Sequence, residues 1–225
     1  MRKLLSLYQS SVGKKVVMAL SGVVLFGFVV AHMMGNLKIY QGAEKFDAYA
    51  RFLREAGAPI FGPGQLLWVF RLVLLAAVAQ HVSAATVLAR KSLGAREQGY
   101  RRQKDLTFSY ASRTMRWGGV IILAFVIYHL MHLTFGNVHP QFSHDSVYQN
   151  VVSGFRVWWV SLAYVAAMLP LGLHIYHGLW SATQTLAIRL PSVRRWRRPL
   201  AAGIAGAIAL GNISIPVAVL TGWLR

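Results

Sequence analysis

Five apolar stretches, 16–36, 64–89, 117–136, 157–183 and 200–223, each reach the ~20 residues that a helix needs to cross a bilayer core. A chain with this pattern has few folds open to it. Lipid offers no hydrogen bonds to backbone N–H and C=O groups, so only helices and closed barrels can span it. The stretches lack the period-2 alternation of barrel strands, which removes the barrel. The sequence predicts an all-α integral membrane protein, a single membrane domain over 1–225 with five transmembrane helices in a bundle. The first stretch follows a basic N-terminus as a signal peptide would. It is too long for a signal h-region and no small-x-small cleavage site follows it, so it reads as a retained helix.

Charge supports the membrane reading and orients it. The chain has 24 Lys+Arg against 6 Asp+Glu, a formal net charge of +18. In a soluble protein that balance would point to nucleic acid, a partner that the apolar spans displace. Lys and Arg number 4 before the first span, 8 between the second and third and 5 between the fourth and fifth, against 4, 1 and 1 in the alternate segments. The positive-inside rule then predicts a cytoplasmic N-terminus and an external C-terminus. Eight basic residues in one connection exceed what orientation needs, which suggests an anionic lipid or protein partner on the cytoplasmic face.

The chain has no cysteine, so disulfides, thiolate-bound zinc or iron–sulfur clusters and C-x-x-C-H haem attachment are excluded. Metal chemistry must fall to the 8 histidines. Six lie in the predicted helices: His32, His81, His129, His132, His174 and His177. His139 and His144 fall in the external loop, where a solvated histidine is the default. One intramembrane histidine can simply hydrogen-bond a neighbouring helix. Six across four helices ask for a common cause.

Depth sorts them. His32 and His129 lie about 16 and 13 residues past the inner ends of outward-running spans, and His81 and His174 about 17 residues into inward-running ones, which puts two layers roughly 15–20 Å apart. Each layer holds histidines from two helices. Haem b needs two imidazoles on opposite faces of a flat ring, delivered through apolar walls, and bis-histidine ligation suits electron transfer. Zinc wants three or four ligands, usually with carboxylates or thiolates, and the spans contain no Asp, Glu or Cys. The sequence therefore predicts a bundle around two stacked b-type haems. An internal echo, Phe28-Val-Val-Ala-His-Met-Met34 and Phe125-Val-Ile-Tyr-His-Leu-Met131, aligns His129 with His32. It leaves His132 as a hydrogen-bonding or propionate-binding residue. Spacing and depth do not choose between His174 and His177.

With these residues the chain resembles the five-helix, two-haem cytochrome b membrane-anchor subunit of succinate:menaquinone oxidoreductases, the succinate dehydrogenases and fumarate reductases. The resemblance covers the whole chain in helix number, histidine order and spacing. Its most specific piece is His174-x-x-x-Gly-Leu-Trp-Ser181, supported by the His32 segment with Gly35-Asn36. It implies His32 and His129 as the axial pair of the outer haem and His81 and His174 as that of the inner haem, selecting His174 over His177. It also implies a flavoprotein subunit with FAD and an iron–sulfur subunit docked on the cytoplasmic face, menaquinone as substrate, and a bacterial-type inner membrane. The chain would not act on succinate by itself. One departure stands out: some fumarate reductases of this family carry a transmembrane Glu two residues before the last ligand, proposed to conduct protons. Here that position is Gly172, which favours succinate oxidation.

Further site residues are only suggested. Glu55, in the acidic-basic loop after the first span, is the candidate proton acceptor for quinone chemistry at the membrane edge. Arg71 could pair with a haem propionate or snorkel to the surface, and Arg113 and Arg116 have the same two readings on the inner side. Pro170, four residues before His174, would kink its helix, and the last span, without histidine, reads as packing. Two rivals remain. One is the cytochrome b subunit of a nitrate reductase, hydrogenase or formate dehydrogenase; the other is a transporter that uses intramembrane histidines.

Overall fold

The computed structural model describes residue 6 and residues 8–94, 110–185 and 191–225, the side chains of 110–114 and 191–194 excepted. The described residues are mostly helical, joined by turns and short coil segments, with no strand among them. Helix α1 (Ser11–Asn36) runs on as a 3₁₀ turn (Leu37–Gln41), followed by α2 (Ala43–Glu55), α3 (Gln65–Gly94), α4 (Tyr110–Leu133), α5 (Val147–Arg156), α6 (Trp158–Thr185) and α7 (Pro191–Leu220). Five are long and apolar enough to cross a membrane: α1 with its 3₁₀ turn, α3, α4 from Met115, α6, and α7 from Arg195.

At their basic ends the helices overrun the apolar stretches that announce them, whereas α4 stops at Leu133 and α7 at Leu220, short of the expected 136 and 223. α1 begins at Ser11 rather than 16 because Ser10 caps it, its Oγ accepting from the Gly13 N–H at 2.9 Å. Lys14 and Lys15 therefore lie inside the helix. α7 begins at Pro191 rather than 200, since a fixed φ and a missing N–H suit the first helical position. Hydropathy marks the part of a helix that sits in hydrocarbon, and these basic turns extend beyond it.

Two helices correct the sequence reading of the external segments. The acidic-basic loop after the first span is α2, and the loop before the fourth contains α5. Each is a short amphipathic helix, 13 and 10 residues long, below the length at which hydropathy signals a span. Gly42, at φ +95°, separates α2 from the 3₁₀ turn. The two helices are tied through Asp47, whose carboxylate accepts from Ser146 Oγ at 2.7 Å and from the Tyr148 N–H at 2.9 Å, an anion at the N-terminus of α5.

In the bundle α1 packs along α3, α4 along α6, and α6 along α7; α1 also touches α6 and α7. The surface is inverted relative to a soluble protein. Large apolar side chains such as Leu72 and Leu75 of α3 and Trp117 of α4 point outward, as lipid permits. Small residues fill the contacts, among them Ala19 of α1, Ala77 and Ala84 of α3, and Ala201 and Ala205 of α7. Fully buried Pro216 and this small-residue face give α7 its packing role.

Candidate functional site

Four histidines from four helices meet in two pairs. The rings of His32 (α1) and His129 (α4) have centroids 5.7 Å apart with planes at 89°. Those of His81 (α3) and His174 (α6) are 6.0 Å apart at 63°. The sequence echo is also an echo of contacts, because Phe28 stacks on His32 at 5.2 Å and Phe125 lies 6.0 Å from His129. His177 faces elsewhere, its ring 5.0 Å from that of Trp180.

The pairs lie at different depths. His81 touches α1 at Met18 and Ser21, and His32 lies roughly 11–14 residues further along that helix, about 16–21 Å at its rise per residue. On α4, Gly119 lies beside His174: a Cβ there would stand 3.9 Å from its Cε1. His129 follows about ten residues later, roughly 15 Å on.

The two pairs are held differently. His81 Nδ1 lies 3.1 Å from the Met18 carbonyl and 3.3 Å from Ser21 Oγ. A carbonyl only accepts, so Nδ1 carries the proton and Nε2 is left with a lone pair. Ser21 donates its own proton to Val17 O at 2.7 Å, leaving its oxygen free to accept. His129 Nδ1 and His174 Nδ1 are buried without a hydrogen-bond partner, so packing alone fixes those rings. An apolar groove of about 660 Å³ follows the α4–α6 contact, from Met115 past Pro170 and His174 to Tyr128.

Two imidazoles on opposite sides of one metal, each with a nitrogen about 2 Å from it, have ring centroids roughly 6 Å apart. Both pairs match that span. Among the described residues no three His, Cys, Asp or Glu side chains converge, so the donor set is two nitrogens per layer rather than the fuller shell of a zinc site.

The other candidate residues are spread around this core. His132 is fully buried, its Nδ1 hydrogen-bonded to Tyr164 Oη at 3.0 Å. Arg71 is exposed on α3 with its guanidinium 4.9 Å from the Trp68 ring. Arg116 is exposed at the start of α4, and the Arg113 side chain lies outside the described residues. Glu55 is exposed at the end of α2. Position 172 faces α7, where a Cβ would meet Ala209 Cβ at 3.6 Å.

Some contributors were not singled out from the sequence. Ser21 and the Met18 carbonyl carry no motif. His139, expected to be solvated, is buried: its Nδ1 accepts from the Gln141 N–H at 3.0 Å and its Nε2 donates to Asn150 O at 2.8 Å. A second groove, about 460 Å³, opens beside the His32 end of α1 between Ala31, Met34, Lys38 and Tyr49. Tyr49 stands out only once α2 is recognised as a helix.

Five helices able to cross a membrane, bringing imidazoles together edge-on in pairs at two depths, define a multi-pass membrane protein of the paired-histidine bundle class. A family model described as the succinate dehydrogenase/fumarate reductase transmembrane subunit matches residues 89–213, more than half of the chain, and the chain belongs to that family. The matched stretch contains His129 and His174, while His32 and His81 precede it. No curated protein and no solved structure gives a significant match. The chain is thus the membrane subunit of a succinate dehydrogenase/fumarate reductase complex, and membership implies association with the flavoprotein and iron–sulfur subunits of such a complex. The family match sets aside the nitrate reductase, hydrogenase, formate dehydrogenase and transporter readings.

Proposed function

We propose that this chain is the dihaem cytochrome b anchor of a succinate dehydrogenase in a bacterial-type cytoplasmic membrane, carrying electrons between the iron–sulfur subunit and menaquinone. The reading rests on the meeting of four imidazoles from four helices in two pairs, with His174 rather than His177 opposite His81. His32 and His129 would hold the outer haem b, and His81 and His174 the inner one. Haem b with two axial imidazoles supplies a reversible one-electron carrier. FAD and the iron–sulfur clusters belong to the partner subunits.

The chain's own residues do the holding and orienting. The hydrogen bond from His81 Nδ1 to Met18 O fixes the tautomer and makes Nε2 a better ligand. Apolar α4 and α6 walls keep water from His174. At the opposite end, the groove beside His32 offers volume for a quinone ring, with Lys38 as donor to a quinone carbonyl. Glu55, exposed on the same side at the end of α2, is the proposed proton acceptor. His177, Arg71, Arg113 and Arg116 are retained as residues around the haem edges. With Gly172 turned to α7, no carboxylate stands at that position to carry protons across.

Two measurements test this reading. Haem extraction and a reduced-minus-oxidised spectrum of the purified complex should give about two b-type haems per chain; absence of a Soret band removes the proposal. Reporter fusions within 91–112 and 190–198 should read cytoplasmic. An external signal from either would invert the layers.

A further inference from the structure

Above the outer histidine pair lies a cluster of buried aromatic and imidazole rings drawn from four segments. Tyr164 of α6, 7 % exposed, sets its ring 5.8 Å from His129 and against Phe125 and Phe155 at 5.0 and 4.8 Å. Its hydroxyl is bonded to His132 Nδ1 at 3.0 Å. His132, 0 % exposed, is held between Tyr128 at 5.6 Å and His139 at 4.8 Å, both nearly parallel to it. His139 is anchored in turn to the α5 backbone at Asn150. Gly154 of α5 admits the stack, since a Cβ there would stand 2.8 Å from His132 Cε1 and 2.9 Å from His139 Nε2.

This assembly supplies what His129 lacks. In the inner pair, the bond from His81 Nδ1 to Met18 O fixes the ring. His129 Nδ1 has no such partner, so rotation of the ring about its terminal torsion, intrinsically soft, must be stopped by its neighbours. Phe125, one turn away on the same helix, moves with His129. Tyr164 comes from another helix and is itself locked by its hydroxyl.

We propose that Tyr164, held by its hydrogen bond to His132, is a positioning residue that sets the plane of the His129 ring relative to His32. The inference rests on the dihaem reading. It predicts that the outer site alone responds to this bond.

The test uses ferric low-spin electron paramagnetic resonance on the purified complex, because the largest g value of a bis-imidazole haem follows the angle between the two imidazole planes. The outer signal is identified as the one missing from His32→Ala. Tyr164→Phe keeps the ring and removes the hydroxyl, and His132→Phe keeps the stack and removes the nitrogen. Both should shift or broaden the outer signal, or eliminate it, with the inner signal unchanged; His132→Gln, which can again bond the hydroxyl, should move it back toward the unsubstituted position. Unchanged outer signals in both Tyr164→Phe and His132→Phe, with two haems per chain, overturn the positioning role. Equal shifts of both signals also overturn it, as a general loosening of the bundle. Fewer than two haems in the unsubstituted complex would instead defeat the dihaem reading.

Discussion

Replacing His32 or His129 with alanine is expected to halve the haem content, from about two per chain to about one, with loss of the outer haem and retention of the inner. Replacing His81 or His174 should remove the inner haem and spare the outer. A bis-imidazole site loses half of its protein ligands with either substitution, and the other layer, about 15–20 Å away along the helices, shares no ligand with it. The informative control is His177→Ala. Its ring lies against Trp180 rather than another histidine, so both haems should survive. If His177→Ala removes a haem and His174→Ala does not, the ligand assignment in α6 is wrong. Loss of both haems from every single substitution would show that the layers do not form independently.

The second large effect concerns the membrane potential. The two layers are separated by roughly half to two-thirds of the ~30 Å hydrocarbon core. One electron moved over that fraction exchanges about 1.2–1.5 kcal/mol per 100 mV with the field, close to a tenfold change in an equilibrium constant. In the proposed arrangement, with the inner layer on the cytoplasmic side and quinone near His32, electrons from succinate would move outward, toward the positive side of an energised membrane. An uncoupler should therefore slow succinate:menaquinone activity in intact cells or vesicles by up to about tenfold. Succinate oxidation with a cytoplasmic-side artificial acceptor should be unaffected. His32→Ala should block quinone reduction while that artificial activity persists. Acceleration on uncoupling, or full quinone reductase activity in a His32→Ala complex shown to lack the outer haem, would put the working quinone site on the inner side.

What could be read from the sequence was whatever leaves a trace along a single helix. The five spans follow from runs of apolar residues, and depth along each span sorted His32 and His129 from His81 and His174. The Phe28–His32 and Phe125–His129 contacts repeat a pattern already present in the letters. Hidden features depend on residues that meet only in three dimensions. Nothing near Met18 or Ser21 announces that α1 will anchor a histidine of α3. The choice between His174 and His177 turns on which of two neighbouring positions on α6 faces α3, and the sequence settled it only through family resemblance. α5 left a signal that could have been used, the Ser146 cap followed by Val147, Val151, Val152 and Phe155 on one face. Recognising it would have brought His139 out of solvent.

Four of the five spanning helices form two hairpins laid side by side, with α7 packed along α6. α1 packs extensively on α3 and α4 on α6, whereas the first hairpin meets the second over smaller contacts, α1 against α6 and α2 against α5 through Asp47. Each histidine pair takes one ring from each hairpin: His32 and His81 from the first, His129 and His174 from the second. During synthesis the first hairpin enters the membrane carrying half of both sites and able to close neither. Iron bound between the rings would act as a clasp within the bundle, joining pieces that the polypeptide itself holds together less extensively than it holds each hairpin. On the proposed dihaem reading, cofactor supply would be a checkpoint on assembly, because the ends of the two hairpins that meet a docking subunit would come into a fixed register once both clasps are shut.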